Sequence, residues 1–86
     1  MPPRRHRPWR EEAAEIAAKH GITVDQLLSR SRSRRVTWPR QELMWRMCAT
    51  RRISPARVGQ LLGGWDRTTV RHAVQRHEAR LSGGAA

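Results

Sequence analysis

Helix start and stop signals follow one another closely along this chain, so only short helices fit between them. Ser54-Pro55 and Asp66 each occupy positions where a helix can begin, and Gly63-Gly64 separates the two. Serine and aspartate side chains cap the free N–H groups of a first turn, proline fits its first position, and glycine ends helices. The alternation typical of strands is absent, as are phenylalanine and tyrosine. The sequence therefore predicts an all-α fold, a small domain of about five short helices.

The same signals place each predicted helix on the chain. The expected caps or first-turn residues are, in order, Trp9, Thr23, Pro39, Ser54 and Asp66. The last helix is predicted to bury one apolar stripe that ends at Leu81. Between the second and third helices, residues 29–35 alternate serine and arginine. Such a charge run is usually a solvated, unstructured loop, but its position before Pro39 favours contact with phosphates. Trp38 flanks an apolar helical face and is predicted to be a packing residue.

The length of the chain bounds its domain organisation. A chain of 86 residues supports one hydrophobic core. Residues 1–8 are rich in proline and arginine and are expected to form a disordered basic arm. Residues 9–81 are expected to form the folded domain, and residues 82–86 a flexible tail.

Arginine dominates the charge of the chain. It has 18 basic residues against 7 acidic ones, a net charge of +11, and Lys19 is its only lysine. Guanidinium groups are planar forks that suit phosphates and guanine edges. This composition predicts a polyanion, above all a nucleic acid, as the partner.

Several other protein classes find no support in the sequence. No apolar run approaches the roughly 18 residues that a membrane span needs, so no membrane association is expected. Neither a phosphate-binding glycine loop nor a zinc-ligand spacing nor a nucleophile–base set can be assembled. We therefore expect no enzyme, no metal and no cofactor. The one cysteine, Cys48, suits a reducing compartment, and a cytoplasmic location is expected.

Two short helices joined through a Gly-Gly pair form the helix-turn-helix pattern. The second begins Asp66-Arg67-Thr68-Thr69, and in this motif the first turn of the second helix faces the DNA major groove. Side chains that can hydrogen-bond to base edges therefore lie in the turn that faces the major groove in this motif.

Two separated segments resemble the C-terminal DNA-binding domain of the bacterial replication initiator DnaA. Residues 32–41 read Arg-Ser-Arg-Arg-Val-Thr-Trp-Pro-Arg-Gln, and residues 63–70 read Gly-Gly-Trp-Asp-Arg-Thr-Thr-Val. That family has an Arg/Ser basic loop, a Pro-Arg-Gln, and a Gly-Gly-Arg-Asp-His-Thr-Thr-Val signature at a similar distance. The resemblance covers roughly Trp9 to Leu81, which suggests such a domain as a stand-alone small protein.

The resemblance implies a basic loop at the minor groove and a recognition helix in the adjacent major groove. By position, Arg32 matches the minor-groove arginine of the family, while Arg40 and Gln41 match its phosphate contacts. The aspartate and the two threonines of the signature, and a phosphate-binding basic residue further along the helix, also have counterparts here. The candidate DNA-binding residues are Arg32, Arg34, Arg35, Arg40, Gln41, Asp66, Arg67, Thr68, Thr69, Arg71 and Arg76.

Three positions depart from the family pattern. Arg67 replaces the signature histidine, Trp65 the signature arginine, and Trp38 the arginine before Pro-Arg-Gln. Arginine pairs best with O6 and N7 of guanine, so Arg67 is expected to change the preferred sequence. We therefore expect this chain to dock on DNA as the family does, but we do not expect it to recognise the same DNA sequence.

These observations favour a sequence-preferring, double-stranded DNA-binding protein that acts as a transcriptional regulator or a replication modulator. A module this small gives modest specificity, so a dimer or a partner protein is expected as well. Two alternatives stay open: sequence-indifferent coating of DNA in the nucleoid, and an adaptor that binds RNA polymerase or a replication protein. The host is expected to be bacterial or a phage.

Overall fold

The computed structural model describes residues 8–83, and most of its helices begin where the sequence signals place them. The α-helices are α1 Trp9–His20, α2 Val24–Leu27, α3 Arg34–Trp45, α4 Pro55–Leu61 and α5 Arg67–Leu81. Within that range the structure holds no strand, so the predicted all-α class with five helices is confirmed. Residues 1–7 of the expected basic arm and residues 84–86 of the expected tail lie outside the described part.

Helix α3 is the centre of the fold because it packs against α1, α2 and α5. Helix α4 packs against α5 and against the turn that ends α3. The apolar side chains that meet between these helices and exclude water are Ala13, Ile16, Ala17, Ile22, Leu27, Leu43, Met44, Met47, Val58, Leu62, Val70 and Ala73. All five helices contribute to this core, so the placement of each depends on the others.

Helices α2 to α5 each begin at a side chain that caps free backbone N–H groups. Thr23 Oγ1 accepts from the Gln26 N–H at 3.0 Å, and the Gln26 side chain accepts from the Thr23 N–H at 2.9 Å. This reciprocal pair is a capping box. Ser54 Oγ accepts from the Arg57 N–H at 3.2 Å. The caps predicted at Thr23, Ser54 and Asp66 are confirmed.

The predicted start of α3 is wrong. The helix begins at Arg34, where Ser33 is the cap and its Oγ accepts from the Arg35 N–H at 3.3 Å. Pro39 therefore lies inside the helix and not in its first turn. An internal proline costs about 3 kcal/mol because it donates no hydrogen bond and crowds the preceding turn. The Pro39 side chain is fully buried, and this packing helps to offset the cost.

Helix α3 ends in a π-helical turn, Arg46–Thr50, which the sequence patterns did not predict. The Arg51 N–H donates to the Arg46 carbonyl, five residues back, at 3.2 Å, and Thr50 Oγ1 donates to the same carbonyl at 2.6 Å. Arg52 then takes a left-handed conformation with φ of 57°. This wide turn carries the chain from the end of α3 to the start of α4.

The turn between α4 and α5 is built on glycine. The Gly59 carbonyl accepts from the N–H groups of Gly64 and Trp65 at 2.8 and 2.9 Å. A Cβ atom on Gly59 would lie 2.0 Å from the Trp65 carbonyl oxygen, so no side chain fits there. Gly63 and Gly64 have φ of 108° and 93°, values that other residues rarely adopt. The two helices of the helix-turn-helix therefore meet at a contact that only glycine allows.

Ion pairs join α1 to α3. The Glu42 carboxylate is 7% exposed and accepts from Lys19 Nζ at 2.7 Å. It also accepts from Arg46 Nη2 at 2.9 Å and lies 3.2 Å from His20 Nε2. Burial alone would raise the pKa of Glu42, but the hydrogen bonds from Lys19 and His20 outweigh burial and hold that pKa below its ordinary value. The ionised carboxylate thus fixes the end of α1 to the middle of α3.

Two side chains predicted to pack are exposed instead. Trp38 is 44% exposed, and Leu81 is 58% exposed. Because α3 starts earlier than predicted, Trp38 follows the exposed Arg34 by one turn and lies on the same outer face. Leu81 is the last residue of α5, where the buried stripe has already ended.

Candidate nucleic-acid interface

The first turn of α5 presents three exposed polar side chains. Arg67, Thr68 and Thr69 follow the cap at Asp66, whose Oδ2 accepts from the Thr68 N–H at 3.1 Å. Within residues 8–83, none of these three side chains takes part in a hydrogen bond or ion pair, so their polar groups are open to a partner. The cap uses one Asp66 oxygen and leaves Oδ1 available as an acceptor.

Further polar side chains continue along α5 from that first turn. Thr69, His72 and Arg76 recur at helical spacing and are exposed, so they form one stripe. Arg71 lies one turn beyond Arg67, and both line a shallow cavity beside the start of α4. Two rows of side chains with donor groups therefore lead away from the first turn of the helix.

An open groove runs between α3 and α5. It has a volume of about 240 Å³, and its rim includes Thr37 and Gln41 from α3 and Thr69, His72 and Arg76 from α5. This groove brings residues from both family-like segments to one surface.

Two buried polar atoms beside this groove have no hydrogen-bond partner within the described residues. They are Gln41 Oε1 and Trp65 Nε1. Both residues line the groove. Buried polar atoms are nearly always paired, so these two atoms are exceptions within the domain.

Residues 29–33 form an ordered turn between α2 and α3, which we call the basic turn, and Arg34 and Arg35 begin α3. Backbone N–H groups donate to the serine hydroxyl two residues earlier: Ser31 to Ser29 at 3.3 Å and Ser33 to Ser31 at 3.1 Å. The next such bond, described above, caps α3. Serine at every second position thus satisfies the backbone, and the arginines that alternate with the serines, Arg30, Arg32 and Arg34, are exposed.

Arg40 lies inside the domain and holds this ordered turn. It is 7% exposed, and its Nη1 and Nη2 donate to the carbonyls of Ser29 and Ser31 at 2.5 and 2.9 Å. Burial, with a smaller effect from the charge of Arg30, lowers the pKa of Arg40. The buried Arg40 guanidinium therefore holds the backbone of the turn that carries the exposed arginines.

Trp65 joins the basic turn to the helix-turn-helix. The Arg30 guanidinium carbon lies 3.9 Å from the centroid of the Trp65 ring, and that of Arg40 lies 4.7 Å from it. Arg30 Nη2 also donates to the Gly63 carbonyl at 2.9 Å. We call Arg30, Arg40 and Trp65 the arginine–tryptophan clamp. Arg30 was not among the predicted site residues. The tryptophan at position 65, where the family has arginine, was the one sequence signal at this contact.

The structure sorts the predicted DNA-binding residues by exposure. Gln41 is half-buried and Arg40 is buried. Arg35 is exposed, and its Nη2 donates to the Gly21 carbonyl at 3.1 Å. The exposed members of the set are Arg32, Arg34, Arg35, Asp66, Arg67, Thr68, Thr69, Arg71 and Arg76.

The described part of the chain offers few features of other kinds of site. Across residues 8–83, no three histidine, cysteine, aspartate or glutamate side chains gather closely enough to hold a metal ion. None of the helices in that range has the length and apolar character needed to cross a membrane. Cys48 is a half-buried free thiol, and burial raises its pKa.

Comparison with known proteins gives a consistent result. The family model for the bacterial DnaA helix-turn-helix matches residues 13–76. The chromosomal replication initiator protein DnaA of Chloroflexus aggregans is 40% identical over 74 residues, which is 85% of this chain and 16% of the relative. The protein of the same name from Caulobacter vibrioides is 43% identical over 72 residues, covering 80% of this chain and 14% of the relative. The chain therefore spans a small fraction of the length of these relatives. No solved structure matches it.

Proposed function

The chain belongs to the bacterial DnaA helix-turn-helix family, and we propose that it binds double-stranded DNA with a preference for certain sequences. The observation that carries this proposal is the first turn of α5. There Arg67, Thr68 and Thr69 are exposed and free of partners in the described structure, directly after a capped helix start. This is the end of a recognition helix that enters the major groove.

Affinity comes mainly from arginine. Each arginine that contacts a phosphate releases a counterion from the duplex, so binding weakens steeply as salt rises. The exposed Arg34, Arg35, Arg71 and Arg76 supply such contacts. Gln41 lines the groove, and its side-chain amide can donate to a phosphate there.

Sequence preference comes from the first turn of α5. The Arg67 fork fits the O6 and N7 acceptors of guanine. Asp66 Oδ1 accepts from the amino group of a cytosine while Oδ2 caps the helix, so one carboxylate serves both purposes. Thr68 and Thr69 add shorter-range contacts.

The basic turn lies at the neighbouring minor groove. Arg32, which is exposed and matches the minor-groove arginine of the family by position, enters that groove. The arginine–tryptophan clamp fixes the distance between this arginine and α5. In this account Arg40 is a positioning residue that keeps the turn in place.

The biological role that fits this chemistry is transcriptional regulation or modulation of replication in the cytoplasm. One small module reads few base pairs, so a second copy or a protein partner completes the specificity. Sequence-indifferent coating is the competing function, and the net charge of +11 is the observation that favours it.

Selection of bound duplexes from a randomised library at two salt concentrations tests the proposal. Wild type should select a motif of several base pairs, and Arg67→Ala should relax that motif at one position. Arg10→Ala, which removes one exposed arginine from α1, is the control and should select the wild-type motif. If wild type selects no motif and Arg67→Ala binds as wild type does, the protein coats DNA and the proposal fails.

A further inference from the structure

A second group of basic side chains lies at the far end of α5, and it adds Arg80 and Trp38, which are outside the predicted set of DNA contacts, to Arg34, which belongs to that set. The guanidinium carbon of Arg34 is 5.2 Å from the centroid of the Trp38 ring, and that of Arg80 is 4.5 Å from it. The Trp38 ring, 44% exposed, thus brings together one arginine from the start of α3 and one from the end of α5. We call Arg34, Trp38 and Arg80 the outer cluster.

The outer cluster has no direct carboxylate partner. In the described part of the chain, neither Arg34 nor Arg80 forms an ion pair with a carboxylate, whereas Arg46 and Arg51 both do. Partial burial and the charge of Arg76 lower the pKa of Arg80, and the more distant charge of Glu42 only partly opposes them. Gathered like charges repel one another, so an anion placed between them would be bound favourably.

The outer cluster continues the surface that already faces DNA. Arg76 and Arg80 are one helical turn apart, and Arg76 lines the groove between α3 and α5. On the opposite wall, Thr37 lines the groove next to Trp38. The groove therefore leads from Thr69 directly towards the cluster.

The length of α5 determines which part of a duplex the cluster can reach. Eleven residues separate Thr69 from Arg80, which is about 16 Å along a helix that rises 1.5 Å per residue. The major groove of B-form DNA is about 12 Å wide. A helix whose first turn contacts bases would therefore bring Arg80 beyond the groove, where the sugar–phosphate backbone lies.

We propose that the outer cluster binds one backbone phosphate of the DNA duplex, beyond the base pairs read by the first turn of α5. The proposal rests on the proposed function. Arg34 and Arg80 donate to the non-bridging oxygens, as guanidinium forks do with phosphates. The indole of Trp38 holds both guanidinium groups by cation–π contacts, which lowers the entropy lost on binding.

The test combines charge removal on the protein with charge removal on the DNA. Dissociation constants are measured between 50 and 200 mM salt for wild type, Arg80→Gln and Trp38→Ala. The probe is the selected duplex, or a mixed-sequence duplex if selection finds no motif. Single methylphosphonate groups, which are uncharged, replace the phosphates of the duplex one at a time. Arg10→Gln is the matched control, because Arg10 also lies over a tryptophan ring, that of Trp9, at 4.8 Å.

We expect Arg80→Gln to reduce the slope of log affinity against log salt by up to about 0.9, the value of one phosphate contact, because Arg34 alone then remains at that phosphate. Its affinity should fall about threefold or more. One methylphosphonate, on the flank of the site, should weaken wild type by a similar factor and should weaken Arg80→Gln clearly less. Trp38→Ala should lose a smaller part of the slope, since both charges remain. Arg10→Gln should respond to every methylphosphonate as wild type does.

The proposal is overturned if Arg80→Gln keeps the wild-type salt slope, or if it responds to every methylphosphonate as wild type does. Either result with retained sequence preference leaves the proposed function intact and directs attention to an acidic protein as the ligand of the cluster. A different result is also informative: wild type selects no motif while the methylphosphonate still weakens wild type more than Arg80→Gln. It removes the proposed function and keeps the outer cluster as a DNA contact.

Discussion

The two segments that carry the family resemblance, residues 63–70 and residues 32–41, fold by different rules. The helix start in residues 63–70 depends on neighbours: Asp66 caps the N–H two residues ahead, and glycine provides the turn. Residues 32–41 depend on distant partners, since Arg40 reaches back to Ser29 and Arg35 reaches back 14 residues to Gly21. The first segment is therefore a local motif, whereas the second is held in place by the rest of the domain.

This difference explains which parts of a binding surface can diverge. The exposed side chains in the first turn of α5, such as Arg67, can change without affecting the backbone that presents them. The basic turn is tied to the helix-turn-helix through Trp65, so a change at either end of the arginine–tryptophan clamp affects both.

The largest effect should come from breaking the close contact under the helix-turn-helix. Gly59→Ala places a Cβ against the Trp65 carbonyl and should lower the free energy of unfolding by about 3 kcal/mol, because backbone must move. Chemical denaturation measures the change. Gly21→Ala is the control: its φ of 69° is unfavourable for alanine, but no atom lies within 4 Å, so about 1 kcal/mol is expected. Equal effects would show that the contact is not critical.

Removing the buried carboxylate should have the next largest effect. Glu42→Gln should cost about 2 kcal/mol, the worth of charge-assisted hydrogen bonds lost between α1 and α3. The folded pKa of Glu42 is lowered, so its stabilisation is complete above the ordinary carboxylate pKa and is lost as pH falls through the folded pKa. Wild type should therefore lose more stability than Glu42→Gln when the pH is lowered from about 5 towards 3. Parallel pH profiles of the two proteins would contradict this account.

Replacing the fork of Arg40 tests the dependence of the basic turn on distant partners. Arg40→Lys keeps the charge but cannot donate to both Ser29 and Ser31 carbonyls, so it should lose about 1.5 kcal/mol of stability. Sequence preference should weaken at the base pairs near Arg32, and the first-turn contacts of α5 should persist. Arg32→Lys is the matched exposed change, and it should leave stability unaltered. A similar loss of stability in both variants would contradict the claim that the two hydrogen bonds of the buried Arg40 hold the turn.

The smallest effect concerns the start of α3. Ser33→Ala should cost about 1 kcal/mol, since it removes the cap of a helix that begins at Arg34. Thermal unfolding followed by circular dichroism gives the difference. Had α3 begun near Pro39, Ser33 would lie in a loop and its replacement would cost almost nothing. Ser31→Ala, one repeat earlier in the same turn and not a cap, provides the comparison.

The sequence was sufficient where the determining contacts span a few residues. It placed the caps at Thr23, Ser54 and Asp66, and it identified the exposed first turn of α5. It failed at Pro39, because the usual preference of proline for a first turn was outweighed by a serine cap and by burial.

Other features depend on pairs that no local pattern reveals. Burial of Arg40 requires two carbonyls that only the folded turn brings together. The exposure of Trp38 follows from the true start of α3. The π-helical turn after Trp45 has no sequence signal that we could identify.

Amide NMR of the full chain titrated with the selected duplex tests the central claim most directly. That claim is that the first turn of α5 and the basic turn bind one DNA molecule together. The account predicts that the amides of Arg32 and of Arg67 to Thr69 shift with the same dissociation constant, while those of α1 stay in place. Shifts confined to one of the two turns, or different constants for each, would contradict it.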